Sequence, residues 1–323
     1  MVQGSSERSA LHELVTSEEM GSWRQPRSWE LLVDLTGPWI QIGAAIAVSA
    51  LVPHPAVLVL AFFVIAGALH GVNCITHEFA HRLVFPRRPR LNDFIGRWFF
   101  GAPGALPLDL YRQRHFEHHR YVSTAEDTKK LYQRDFAGWR MAREVVLGAS
   151  GVDYLWQVVT VLGRKSEDDS DGATPPSKKG KGQFLADVLP VGIVQLLIAG
   201  VFIWRWDLVH YLILWPWPLM GATLFGKLRS VVEHTPMRAE WREDPSSPYF
   251  RHTPEPVLRS VVPTRLERLF LTKVNFNFHR EHHLWPGLSY QYLPLAYERV
   301  RTHLNEPIAR GYVARLGALM RGA

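Results

Sequence analysis

Charged residues are absent from two long stretches of the chain. From Leu35 through His77 there is no Asp, Glu, Lys or Arg, a run of 43 residues. A helix that spans a bilayer needs about 20 apolar residues, so this run is long enough for two spans. The sequence Pro53-His54-Pro55 divides the run. The pattern therefore predicts a hairpin of two transmembrane helices, over residues 35–52 and 56–76, joined by a tight turn.

A second pair of apolar segments lies in the C-terminal half. Residues 184–204 contain one charged side chain, Asp187, and residues 208–226 contain none. The short Trp-Arg-Trp-Asp sequence between them has the aromatic residues that favour a membrane interface. A buried helix of a soluble protein can be equally apolar, but four such segments in two close pairs favour a membrane protein. We predict an all-α integral membrane protein with four transmembrane helices in two hairpins.

The distribution of basic residues predicts the orientation in the membrane. The two hairpin turns contain zero and one basic residue, whereas the chain beyond the second and fourth spans is rich in them. These residues are Arg82, Arg87, Arg88, Arg90, Lys227 and Arg229. Since basic residues accumulate on the cytoplasmic side, both termini and the middle loop are expected there. Residues 1–30 are polar, without the apolar core of a signal peptide, and are expected to form a cytoplasmic tail before a single membrane domain, 31–323.

The middle loop contains two unusual segments. Residues 94–111 are apolar but broken by glycine and proline, so we expect them to lie in the membrane interface rather than to cross the bilayer. Residues 164–183 contain no large apolar side chain and are rich in serine, proline, glycine and charge. Such a segment buries too little surface to offset the entropy of ordering it, which predicts a flexible cytoplasmic linker.

Bulk composition hides this organisation. The chain is 47% apolar with a net charge of +7, values that an ordinary soluble protein also has. The composition excludes a disordered, a collagen-like and a disulfide-rich protein, and the single cysteine, Cys74, leaves no cysteine-rich zinc or iron–sulfur site. The informative number is the 15 histidines.

Eight of the 15 histidines fall in three short clusters with the sequences HEFAH, HFEHH and HREHH. They are His77, His81, His115, His118, His119, His279, His282 and His283. Residues three or four apart share a helix face, and adjacent residues diverge by about 100°, so one cluster can serve two metal ions. Eight imidazoles exceed the four ligands of a zinc ion and suit two ions with an open position for oxygen. Imidazole binds iron, copper, nickel and zinc, so the ligands alone do not identify the metal.

The three clusters resemble the histidine boxes of the membrane fatty acid desaturase superfamily, HxxxH followed by two HxxHH sequences. The sequence NFNFHREHHLWPGLSYQYLP around the last box is similar to bacterial acyl-lipid desaturases, and the resemblance covers about residues 35–300. It implies a four-helix membrane stem whose helical cytoplasmic cap holds two non-haem iron ions. It also implies that the eight box histidines bind iron and that His234, in RSVVEHTP, is a ninth ligand.

Other polar residues lie beside these histidines. Metal-bound imidazoles usually donate their second N–H to a carboxylate or carbonyl, a role open to some of four neighbouring glutamates. These are Glu78, Glu117, Glu233 and Glu281, and a solvated surface position is the alternative for each. Asn275 is equally compatible with holding a metal-bound water and with capping a helix. His70, deeper on the same helix face as His77, is expected to line a pocket or support a ligand.

The resemblance implies an O2-dependent oxidoreductase that introduces a double bond into a fatty acyl chain or similar lipid, carried as a membrane lipid or an acyl thioester. A hydroxylase or ketolase acting on a lipid or carotenoid would use the same boxes. A histidine-rich metal transporter is the third alternative, which the scarcity of ionisable residues within the spans disfavours.

The partners follow from the same features. The sequence has neither a His-Pro-Gly-Gly haem motif nor a cysteine cluster, so electrons are expected from a separate donor such as a ferredoxin. The excess of 37 basic over 30 acidic residues favours an acidic donor and anionic lipids. Nucleic acid is not an expected partner, because the basic residues flank spans. We expect a multi-pass protein of the bacterial inner membrane.

Overall fold

The computed structural model describes residues 10–122, 127, 136–156, 181–234 and 258–321. These residues are mostly helical and form no β-strand; their β-pairing consists of two isolated bridges, Ser260 with Phe278 and Val262 with Arg310. The all-α prediction is confirmed. Most of the predicted linker lies outside the described residues, and its last residues, from Lys181, already belong to a helix.

The named helices of the described residues follow one another along the chain in this order. They are α1 Ser17–Trp23, α2 Ser28–Leu51, α3 Pro55–Ala80, α4 Pro89–Ile95, a π-helix Gly96–Gly101, α5 Leu108–Tyr121, α6 Trp139–Ala149, α7 Lys181–Arg205, α8 Leu208–Leu214, α9 Pro216–His234, α10 Glu267–Phe270, α11 His279–Leu284, a 3-10 turn Tyr290–Tyr292, α12 Leu293–His303 and α13 Tyr312–Met320.

Four helical segments are long and apolar enough to cross a membrane, as predicted. They are Ser28–Leu51, Pro55–Ala80, Phe184–Arg205 and Leu208–His234. All four are longer than the apolar runs from which they were predicted, the third by a single residue. A charge-free run marks only the part of a helix that must avoid charge, whereas the backbone hydrogen bonds of the helix continue past it. The extensions matter because they carry His77 and His234 past the apolar part of α3 and α9.

Helix α3 is the centre of the membrane stem. Half of its apolar window is buried inside the protein, against 6% for α2, and it packs against both α2 and α9. His54 caps the start of α3, and its Nδ1 accepts a hydrogen bond from the Ala56 N–H at 3.2 Å. Pro55 occupies the first helical position, where no N–H is needed. The predicted hairpin is therefore a helix–turn–helix with α3 inside and α2 largely exposed.

The fourth span is interrupted at Trp215, between α8 and α9. Pro216 and Pro218 follow directly, and proline supplies no backbone donor to continue the helix. The Trp215 indole N–H donates to the side-chain oxygen of Gln195 on α7 at 3.0 Å. The amide nitrogen of Gln195 in turn donates to the carbonyls of Ala102 and Pro103, at 2.9 Å each. Gln195 thus satisfies carbonyls that follow the π-helix, where exposure to hydrocarbon would be costly.

The segment predicted for the membrane interface, 94–111, is not a span. It consists of the end of α4, the π-helix, a turn and the start of α5, and its π-helix packs against α3 and α7.

The described part of the N-terminal tail packs against the region that follows the third histidine box, around residues 284–300. Leu11 and Val15 are buried in one cluster with Leu288 and Leu293, and Arg299 pairs with Glu19 at 2.6 Å. These contacts join the tail to the region around the third histidine box.

Gly67 permits a close approach between α3 and the segment that contains α10. A β-carbon at this position would lie 2.8 Å from the Leu269 carbonyl oxygen, a backbone atom that cannot rotate away. Gly67→Ala is therefore expected to lower the free energy of unfolding by about 1–3 kcal/mol, the usual cost of overpacking. The midpoint of thermal unfolding in detergent, followed by tryptophan fluorescence, measures the change.

Gly43 on α2 provides the matched control. It is also a glycine inside a spanning helix, but a β-carbon there would meet nothing within 4 Å. Gly43→Ala should leave the midpoint unchanged or raise it, because alanine is the better helix former. Equal destabilisation by the two substitutions would contradict the tight contact at Gly67.

Candidate metal centre

Four elements bring the predicted histidines together. His77 lies in the last turn of α3, and His81 is the residue that ends this helix. The second box lies on α5, the third on α11, and His234 is the last residue of α9. Helices α3 and α9 pack side by side, and the histidines at their ends join two different groups of the same centre.

Five histidines form the first group, which draws on all three boxes. They are His77, His81, His115, His119 and His282. Neighbouring Nε2 atoms in this group are 2.8–3.1 Å apart. His119 is partly exposed and the other four are buried.

Four histidines form the second group, and all of them are buried. They are His118, His234, His279 and His283. Their neighbouring Nε2 atoms are 3.0–3.2 Å apart. Adjacent residues of a box thus belong to different groups, His118 to the second and His119 to the first, as the angle between them on a helix predicts.

Hydrogen bonds on the far side of several rings hold their orientation. The Nδ1 atom of His77 contacts the Glu78 carboxylate at 2.9 Å, and that of His118 contacts Asp127 at 2.9 Å. The Nδ1 atom of His234 lies 2.9 Å from the Ser230 carbonyl oxygen. Beside a carbonyl oxygen or an ionised carboxylate, which only accept, Nδ1 carries the proton and Nε2 keeps its lone pair.

Burial keeps several of these imidazoles neutral. It holds the pKa of His115, His282 and His283 well below the usual value, and the neighbouring histidines lower it further. Burial, followed by the charge of Arg112, lowers the pKa of His81 to about 3. A neutral ring has a free lone pair, which is the form that binds a metal.

The contact between His118 and His234 tests whether this donor set fits a metal. Both Nδ1 atoms carry the proton, so the two Nε2 lone pairs face each other at 3.1 Å, an arrangement that repels without a cation. Two imidazole nitrogens bound at right angles to one ion, at about 2.1 Å, are about 3.0 Å apart. The spacing and the donors therefore fit a transition-metal ion in each group.

The four neighbouring glutamates have different partners. Glu78 contacts His77 directly, and Glu233 accepts from the Tyr312 hydroxyl at 2.8 Å and lies 3.8 Å from Nδ1 of His279. Glu281 instead accepts from the Ser260 hydroxyl and from Arg280. Glu117 accepts from the Gln113 amide at 3.2 Å. All four glutamates are adjacent to a histidine in sequence, so proximity in sequence does not by itself predict these different partners.

Asp127 was not predicted as a site residue from the sequence. It is fully buried and contacts Nδ1 of His118, but it follows α5 outside any helical spacing that could have indicated it.

His70 and Asn275 lie outside both histidine groups. The Nε2 atom of His70 is 3.2 Å from the Leu271 carbonyl oxygen and contacts the Cys74 sulfur at 3.7 Å. His70 therefore joins α3 to the segment before the third box. Asn275 lies in the wall of a cavity described below.

The fold and the histidine groups together define a class: helical multi-pass membrane proteins with a histidine-rich centre able to hold two metal ions. Comparison with known families identifies the member. The sequence model named Fatty acid desaturase matches residues 53–311, and the chain belongs to this family. A comparison with curated proteins found no match. The predicted resemblance is confirmed; the family is one of oxidoreductases, and the histidine groups are consistent with non-haem iron.

Proposed function

We propose that this protein is an O2-dependent di-iron oxidoreductase that introduces a double bond into a fatty acyl chain. Nine histidines would hold the two irons, five in one group and four in the other. The observation that carries this proposal is the convergence of their Nε2 atoms, with rings held from behind by Glu78, Asp127 and the Ser230 carbonyl.

The two irons, when bound, and a separate electron donor would contribute different parts of the reaction. When bound, the two irons supply the activation of O2 and the oxidising power to remove two hydrogens from neighbouring carbons. Both atoms of O2 leave as water, which requires two electrons and two protons in addition to the substrate's hydrogens. We propose that a separate protein, a ferredoxin or similar donor, provides the electrons.

The residues of the chain orient the ligands and limit access of water. The second group is buried, and the Phe276 ring packs 4.2 Å from the ring of His77. The Tyr111 ring stacks on His115 with 5.5 Å between centroids. These aromatic walls shield the centre from solvent, which protects an oxidising site from side reactions.

The four apolar helices support a lipid substrate. The candidate centre lies at the ends of α3 and α9, next to their apolar parts, where an acyl chain of a membrane lipid or an acyl thioester can reach it. The proposal includes the orientation inferred from the basic residues, with both termini cytoplasmic and the donor approaching from that side.

Removal of one ligand should affect one group only, since the groups share no histidine. His118→Ala and His282→Ala are each expected to lower the iron content from about two ions per chain to about one, and to abolish turnover. Metal analysis of the purified protein measures the first effect, and a lipid product assay the second.

His303→Ala is the control, because His303 is exposed on α12 and belongs to neither group. It should retain iron and activity. Full iron content and turnover in His118→Ala or His282→Ala would contradict the proposal.

The carboxylates behind the rings should tune metal affinity without binding the metal. Glu78→Gln and Asp127→Asn keep the size of the side chain but replace the carboxyl group that contacts Nδ1 by an amide. Each is expected to weaken iron binding by about 10–100-fold, measured by competition with a chelator. Glu117→Gln, whose carboxylate contacts Gln113 instead, should bind iron as the parent does. Equal loss in all three variants would indicate a general structural effect and would contradict this role.

Product analysis distinguishes the reaction types. Iron-loaded protein supplied with O2, reduced ferredoxin and membrane lipid is expected to yield acyl chains that lack two hydrogens, detected by mass spectrometry. A product that has gained oxygen would overturn desaturation in favour of a hydroxylase or ketolase. Metal that crosses the membrane without O2-dependent turnover would instead indicate a transporter.

A further inference from the structure

A cavity of about 430 Å³ lies beside the candidate metal centre and plays no part in the mechanism above. One wall is the start of α2, with Trp29, Glu30 and Asp34, and the opposite wall comes from the segment before the third box, with Arg268 and Lys273. The cavity is therefore lined by acids on one side and by bases on the other.

The acids of this cavity already have partners. The carboxylate of Asp34 accepts a hydrogen bond from the Tyr290 hydroxyl at 2.6 Å. Glu30 pairs with Arg27 at 2.6 Å. The two bases differ, because neither Arg268 nor Lys273 forms a salt bridge with a carboxylate of the described residues. Among the described residues, both acids thus have a hydrogen-bond partner, and the two bases are the charged groups of the cavity that remain available to a ligand.

Lys273 is held in place although its ammonium group has no counterion there. Its stem lies against Gly71, since a β-carbon on Gly71 would be 3.5 Å from Cγ of Lys273. Burial lowers the pKa of Lys273, which reflects the cost of keeping this charge away from water. An anion bound beside the ammonium would offset that cost.

The cavity and the histidine groups share a thin wall. Val274 and Asn275 line the cavity with φ of 46° and 53°, in the left-handed region that a β-branched residue such as valine rarely adopts. The next residue, Phe276, packs against His77. Tyr290 forms a second link, since its hydroxyl donates to Asp34 in the cavity and its backbone lies near Glu78, the partner of His77.

The mouth of the cavity is apolar. Trp29 and Val33 on α2 are 73% and 48% exposed, and Leu269 beside Arg268 is 54% exposed. Since α2 is a candidate span, its exposed apolar side chains face lipid. A molecule that enters here comes from the membrane, with a polar group that reaches Lys273 and Arg268.

We propose that this cavity binds the anionic head group of the substrate, a phosphate or a carboxylate, through Lys273 and Arg268. The inference rests on the proposed function and makes it more specific: the substrate is an acyl chain with a negatively charged head, not a neutral carotenoid or hydrocarbon. Phosphate and carboxylate share the charge-assisted hydrogen bonding that a lysine and an arginine provide.

Three probes with the same twelve-carbon chain test this: dodecyl phosphate, laurate and dodecanol. Their affinities for the iron-loaded full-length protein in non-ionic detergent are measured by isothermal titration calorimetry. At least one anionic probe is expected to bind about tenfold or more tightly than dodecanol, since hydrogen bonds between charged groups are stronger than those to a neutral hydroxyl. The stronger anion identifies the source, dodecyl phosphate a phosphate-bearing lipid or carrier and laurate a free acid.

Lys273→Met and Arg268→Gln are each expected to lower the affinity for that anion about tenfold. The affinity for dodecanol should stay unchanged. Lys273→Arg keeps the charge and should restore binding. Arg87→Gln is the matched control, because Arg87 is exposed and lies outside the cavity. Arg268 is exposed on α10, so its substitution tests the site even if Lys273→Met fails to fold.

Equal affinity for dodecanol and both anions would overturn the proposal, as would unchanged anion binding in both cavity variants. Failure of the proposed function has a different signature. If the histidines do not bind iron, the metal content of the parent protein is low while the anion still binds and still depends on Lys273. The two inferences can therefore fail separately.

Discussion

The structure depends on holding neutral imidazoles together with their lone pairs facing one another. In the second group, Nε2 of His118 and Nε2 of His234 approach to 3.1 Å with both protons on the outer nitrogens. Only a shared cation makes such a contact favourable. The fold meets the requirement by fixing each ring from behind, with a carboxylate for His77 and His118 and a backbone carbonyl for His234, and by burying the groups so that the rings stay neutral.

The membrane stem serves this arrangement. Helices α3 and α9 continue past their apolar parts and carry ligand histidines at their ends, so that packing inside the stem determines where those rings lie. Side chains also stabilise irregular backbone next to the stem. Gln195, for example, donates hydrogen bonds to the carbonyls that follow the π-helix. Gly67 allows the segment before the third box to lie against α3, and His70 holds the same segment through the Leu271 carbonyl. One segment thus connects the stem, the third box and the cavity lined by Lys273.

Much of this could be predicted from patterns along the chain. The absence of charge predicted the spans, because a charged side chain in hydrocarbon is expensive at any position of a helix. The helix boundaries were less accurate, since α2 begins at Ser28 and α9 continues to His234, where the apolar pattern has already ended. The histidine boxes were recognisable because helical spacing is local. The sequence did not distinguish Glu78 from three similar glutamates. The fold shows that Glu78 contacts a histidine, whereas Glu117 contacts Gln113.

By itself, the sequence determined the class of this protein: four apolar helices, three histidine boxes and, through them, membership of the fatty acid desaturase family. These features are repetitive or local, and hydrophobicity and helical period are properties that a linear pattern records. The tertiary structure alone decided which histidines belong to which group, that Asp127 lies behind His118, and that Lys273 and Arg268 face two acids across a cavity. Those facts concern residues far apart in the chain, and their distances depend on how the helices pack, which no spacing along the sequence encodes.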